Sequence, residues 1–177
     1  MQTQSITKVK NLINARAFSI TLRLVIFIAV ATAIPAISHA QWMTGPLVNM
    51  VLFLSVIYCG LSGALIVGMI PSVIALSVGL LPVAIAPAIP FIMIGNAVMV
   101  SIFYLAKKKG FLIGVIDGSL LKFIFLLLTV PIIARLVASS AIARKIALMF
   151  GWPQLVTALA GGVLAWGTHK FLLSRYQ

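Results

Sequence analysis

Asp117 and Lys122 are the two charged residues set inside an apolar run, and Asp117 is the single acidic residue among all 177. Their neighbours are mostly Leu, Ile, Val, Phe and Gly. Taking a charge into hydrocarbon costs roughly 2.5–3.5 kcal/mol on insertion scales, so a lysine kept there is a candidate for function. Its ammonium can meet a carboxylate or a phosphate, or donate to carbonyls. Asn49, Asn96 and Gln154 could add directional hydrogen bonds, and Trp42 stands close to them in the expected topology. Asn49, Asn96, Lys122, Gln154 and Trp42 are therefore the candidate binding residues. Each has a plainer alternative. Asparagines in membrane helices often tie helices together, and tryptophans often anchor at the interface. Snorkelling does not suit Lys122, which lies ~11 residues, or about 17 Å, from either end of its run.

Other chemistry is poorly supported. Gly60-Leu61-Ser62-Gly63 matches the Gly-x-Ser-Gly of rhomboid-type proteases, with His169 expected on the same membrane side. A Ser–His dyad needs hydrogen-bond reach, and four Gly-rich residues are weak evidence in a chain with 13 glycines. One acidic residue cannot make an aspartyl protease dyad. One cysteine, Cys59, cannot make a disulfide framework or a thiolate cluster. The two histidines are expected on opposite membrane faces, so no shared metal site is expected. No phosphate-binding loop is present, so the chain cannot power a process itself. The expectation is a protein that is not an enzyme and carries no cofactor.

The elements that must position these residues follow from composition. The chain is 63% hydrophobic and 8% charged, far from the ~25% charged residues of soluble domains. No Lys, Arg, Asp or Glu lies between Arg23 and Lys107. Such a stretch must cross a bilayer several times, as helices of ~20 residues each. The net charge of +12 does not point to nucleic acid, because the basic residues flank apolar runs. They read as topology signals and contacts with anionic lipid.

Lys8, Lys10, Arg16 and Arg23 place the N-terminus in the cytoplasm, and the loop at 38–46 has no Lys or Arg. Lys107, Lys108 and Lys109 mark a cytoplasmic loop, which requires three crossings before it. Gly60 to Gly63 supplies an inner turn; Pro82, Pro87 and Pro90 supply an outer one. The expectation is an all-α integral membrane protein of six transmembrane helices with both termini cytoplasmic. The spans are 18–37, 45–60, 63–81, 89–106, 111–134 and 152–172. Residues 1–17 form a cytoplasmic segment, and 139–150 an amphipathic interfacial helix with Ile142, Ile146, Met149 and Phe150 on one face. Pro71 should kink the third span. A signal peptide ending at Ser38-His39-Ala40 is the rival reading, but the basic region before it is long for one.

Two helix surfaces need neighbours. In the fifth span Gly110, Gly114, Gly118 and Lys122 recur every four residues on one side, while Leu112, Ile113, Ile116, Leu120, Phe123 and Ile124 form a lipid face. Asp117 flanks the glycine stripe, within expected reach of the Lys107 to Lys109 cluster. In the first span Ala29 and Ala33, four apart, allow close helix contact, within the chain or with a partner.

Six short helices, an Ala-x-x-x-Ala first helix and an outer polar cluster without an ATPase resemble an S component of an energy-coupling-factor (ECF) transporter. The runs Thr44-Gly45-Pro46-Leu47-Val48-Asn49, Leu81-Pro82-Val83-Ala84-Ile85-Ala86-Pro87, Pro90-Phe91-Ile92-Met93-Ile94-Gly95-Asn96 and Trp152-Pro153-Gln154-Leu155 carry the same resemblance over roughly 18–172. It implies a substrate-binding subunit in a prokaryotic plasma membrane. Such a subunit captures a vitamin or other micronutrient from outside and docks on a T component driven by two ATPases. It assigns docking to Ala29 and Ala33, and the substrate to the outer loop and the outer parts of helices four to six. Nickel and cobalt members carry His after the first Met, where Gln2 stands here. No dense aromatic pocket suggests riboflavin or thiamine, so the substrate class stays open. A non-transporting membrane scaffold or assembly factor is the alternative.

Overall fold

A computed structural model describes residues 2–37, 40–79, 83–137 and 139–175, with only the backbone described for 2–14 and 16. The elements are α1 (Gln2–Ile37), α2 (Gln41–Ser77), a short 3-10 turn (Val83–Ala88), α3 (Ile89–Ala106), α4 (Phe111–Leu136), α5 (Ser140–Phe150) and α6 (Trp152–Arg175). No strand occurs among the described residues. Five helical stretches are long and apolar enough to cross a membrane: Ala17–Ile37, Gln41–Ser77, Val83–Ala106, Phe111–Leu136 and Ser140–Arg175. These suit a multi-pass membrane protein.

α2 combines the expected second and third spans, and Gly60 is where its backbone leaves the helical region (φ 75°, ψ −177°). A β-carbon placed on Gly68 would lie 3.6 Å from a Leu52 methyl. Sixteen residues of straight helix would hold those positions about 24 Å apart. The chain therefore doubles back at Gly60, and only glycine adopts that positive φ without strain. Each arm, 41–59 and 61–77, is close to the length of one crossing.

Several boundaries differ from expectation. α2 begins at Gln41, so Trp42 and Thr44 are helical rather than loop. Ala40 starts it: its carbonyl accepts from the Met43 and Thr44 amides and the Thr44 hydroxyl. Gly60 is the sole non-helical position inside α2, so the dihedrals stay helical at Pro71. The expectations for Ser38, His39, Leu81 and Pro82 concern positions outside the described residues. α3 keeps its expected bounds, opening with Pro at its first turn. α4 follows the turn at Lys107 to Lys109 through Gly110, whose φ of 148° favours glycine.

The two arms of α2 join α3, α4 and α6 in a ring, with α1 packed chiefly on α2. Glycines set the closest approaches. A β-carbon on Gly118 would meet the Met99 carbonyl at 2.8 Å, and one on Gly114 the Lys107 amide nitrogen at 2.9 Å. The α4 glycine stripe is thus filled by α3 of the same chain. Gly161 lies equally close to Pro46 and Asn49, and Gly162 to Val115, locking α6 onto α2 and α4. Two apolar clusters result. One, around Phe53, Val56, Met99, Phe103 and Val115, fills the Gly60 half. The other joins Leu126 and Ile133 to Ile146 and Phe150 of α5 and Ala88 of the 3-10 turn. The expected apolar face of α5 is seated there, with Arg144 and Lys145 exposed.

Candidate functional site

A polar layer separates these clusters, and α4 supplies its centre. Positions 115, 119, 122 and 126 fall on the inward face because helical neighbours recur at three and four residues. Val115 belongs to the first cluster and Leu126 to the second. Between them Ser119 is 0% and Lys122 4% exposed. Lys122 Nζ donates to Asn49 Oδ1 of α2 at 2.8 Å, and Asn49 itself is 3% exposed. A hydrogen bond to a charged group contributes about 1.5–3 kcal/mol. Lysine has three donors, and this bond uses one. Ser119 Oγ, buried one turn away on the same helix face, has no hydrogen-bond partner. It was missed in the sequence, although its spacing of three residues from Lys122 was a readable signal.

The other candidates lie elsewhere. Asn96 is buried, but its Nδ2 donates to the Gly68 carbonyl in the second arm of α2 at 3.0 Å. Gly68 is close to Pro71, which cannot donate to the Val67 carbonyl. Asn96 therefore ties α3 to α2 beside that proline. It also borders a crevice of about 80 Å³ with Ala31, Pro35, Leu52 and Pro71.

Trp42 is at the rim of the α2–α6 seam, where its ring pairs with Trp152 at 5.2 Å. Gln41 Nε2 donates to the Met149 carbonyl at 2.9 Å and adds α5 to this closure. Gln154 is half-buried in the first turn of α6; its carbonyl accepts from the Thr157 hydroxyl at 3.3 Å. A β-carbon on Gly45 would lie 2.8 Å from Thr157. The seam is thus closed from the tryptophans down to Asn49. Lys122 and Asn49 are brought together; Trp42, Asn96 and Gln154 surround them at other levels.

The opposite end is joined by rings. Phe53, Phe103, Phe111, His169, Tyr58 and Phe27 form a continuous chain of contacts with centroids 4.9–6.5 Å apart. It passes through α1, α2, α3, α4 and α6. Tyr58 Oη and His169 Nδ1 share a hydrogen bond at 3.1 Å, and Arg23 Nη1 donates to the Tyr58 carbonyl at 3.3 Å. His169 is therefore engaged by Tyr58. Ser62 is exposed and makes no hydrogen bond to it, so no Ser–His dyad forms.

Asp117 is not tied to the basic cluster at Lys107 to Lys109. It is exposed on the α4 face that also exposes Ile113, Ile116, Leu120 and Ile124, and it forms no ion pair among the described residues. Ala29 and Ala33 are also exposed, while Ala31 between them is buried. No group of metal-ligating side chains occurs among the described residues.

No protein-family model matches the chain, and no curated protein or solved structure matches it.

Proposed function

We propose that this protein is the substrate-binding subunit of an ECF-type uptake transporter, with six crossings and both termini cytoplasmic in a prokaryotic plasma membrane. The observation that carries the reading is Lys122: a buried amine in mid-helix whose hydrogen bond to Asn49 leaves two donors, beside the unpartnered Ser119 hydroxyl. Holding such groups in an apolar bundle is costly unless a ligand repays it. Asn49 orients the amine, and Lys122 meets the polar group of a small molecule arriving between α2 and α6 from the Trp42–Trp152 end. Parting the seam at Gly45 and Thr157 opens this route. The doubling back at Gly60 supplies the sixth crossing.

Docking on a T component with two ATPases is assigned to the outward Ala29 and Ala33. Their exposure leaves that face of α1 open to a partner, which supports the assignment. Native purification tests the function. Mass spectrometry should find a small molecule on the wild-type chain and none on Lys122→Met, and the wild type should copurify with a membrane partner and ATPases. Absence of both ligand and ATPase-linked partner would overturn the reading.

The tight closure around Lys122 favours a second reading, a non-transporting scaffold or assembly factor. Lys122→Met would then weaken folding or assembly with no ligand to lose.

A further inference from the structure

We propose that the group recognised at Lys122 is a singly charged carboxylate, held jointly by Lys122 Nζ and Ser119 Oγ. This rests on the substrate-binding reading above and narrows it to a chemical class.

After the bond to Asn49 Oδ1, the Lys122 ammonium has two N–H groups left. The Ser119 hydroxyl, fully buried, has none of its capacity used. The two residues are three apart on one helix face, where β-carbons lie about 5–6 Å apart. Lys122 reaches Asn49 of α2, and Ser119 is buried on the same face of α4. Donors from adjacent turns of one helix face can each give one hydrogen bond to a separate oxygen of a single carboxylate.

Charge then selects among anions. The sole acidic residue, Asp117, is exposed on the far side of α4 and gives the interior no negative charge. One ammonium and one monoanion leave the layer neutral. A phosphate dianion would leave a net negative charge between apolar clusters that cannot screen it. An uncharged amide would leave the ammonium without a counter-charge. Val115 and Leu126 flank the layer along α4, so the adjoining part of the ligand is apolar and carries no second charge.

The test uses the full chain in detergent or nanodiscs, with unfolding followed by the exposure of Cys59, which is half-buried in the folded state. Acetate is the decisive probe, since it has almost no body to misfit. Acetamide and inorganic phosphate are compared at matched ionic strength. Acetate is expected to raise Tm saturably by about 3 °C, with acetamide and phosphate at least about tenfold weaker, the factor that one charge-assisted hydrogen bond supplies. Ser119→Ala should weaken the acetate response about tenfold while leaving basal Tm nearly unchanged, and Lys122→Gln should abolish it.

No saturable shift in wild type with either acetate or oleate rejects the proposal, as does an equal shift in Ser119→Ala and Lys122→Gln, or an equal effect of phosphate. Oleate added to nanodiscs separates the sources. A response to oleate without one to acetate means a membrane fatty acid supplies the carboxylate; a response to acetate means a water-soluble acid can. If purified protein carries an uncharged or dianionic molecule that Lys122→Met loses, the carboxylate inference fails and the substrate-binding reading stands.

Discussion

The two faces of α4 treat charge in opposite ways. On the inner face Lys122 is buried and hydrogen-bonded to Asn49. Five residues earlier, Asp117 is exposed among Ile113, Ile116, Leu120 and Ile124, with no ion pair among the described residues. Five residues turn a helix about 140° past a full circle, so charges near in sequence face different surroundings. A buried ion pair within α4 is therefore excluded by rotation alone. The inner charge is tied into contacts between helices; the outer one is not. Substitutions on the two faces should then differ in sign as well as in size.

The largest effect belongs to the inner seam. Gly161→Val places a side chain where a β-carbon already sits 2.6 Å from the Pro46 carbonyl and 2.7 Å from the Asn49 β-carbon. Backbone cannot yield as a flexible side chain does, so the cost should reach about 3 kcal/mol. Gly167→Ala on the same helix is the control, because no atom lies within 4 Å of its added carbon. Thermal unfolding in detergent should drop sharply for the first and stay level or rise for the second. Equal Tm values would mean that α6 does not pack against α2 at the polar layer.

Next comes the Lys122–Asn49 bond. Lys122→Met and Asn49→Leu should each cost about 1.5–3 kcal/mol, because each leaves one buried polar partner alone. The double variant removes both and should cost less than the sum, with a coupling of about 1.5 kcal/mol or more in a double-mutant cycle. Additive losses would show that the two residues act independently and would remove the polar layer as a unit.

Much of the frame was legible because the chain punctuates it. Gly60 marks the reversal, Lys107 to Lys109 the turn into α4, and Trp152-Pro153 the start of α6. The inward side of Lys122 was legible from Gly114 and Gly118 recurring every four residues below it. Its partner was not, because Asn49 is 73 positions away and only the packing of α2 and α4 against the same neighbours, α3 and α6, brings them together. Asn96 illustrates the same limit. Its polar side chain suggested ligand binding, but the carbonyl it meets depends on where the second arm of α2 lies. Asp117 is a different case. At the edge of the glycine stripe a modest rotation decides between the basic turn and the lipid face.

A smaller effect separates the inner polar layer from the ring-lined end. Tyr58→Phe keeps the ring stacking on Phe27 and His169 but removes the hydroxyl that meets His169 Nδ1. The loss should be about 0.5–1.5 kcal/mol, below that of either polar-layer variant. His169→Phe, which retains a ring against Phe111, should behave alike. Losses as large as those at Lys122 would move the main polar tie of the bundle to its Gly60 end.

Asp117→Leu should have the smallest effect, and its sign tests the comparison most directly. The carboxylate makes no ion pair among the described residues, and its exposed neighbours are apolar. Replacing it in the isolated chain removes a charge from a hydrocarbon-facing surface. Stability, followed as Tm, should rise slightly or change by less than about 0.5 kcal/mol, the usual range for surface substitutions. Lys122→Leu should move in the opposite direction, because it strips Asn49 of its partner. A clear fall in Tm for Asp117→Leu would mean that the carboxylate is held within the chain. The contrast between the two faces of α4 would then be one of partner rather than of burial.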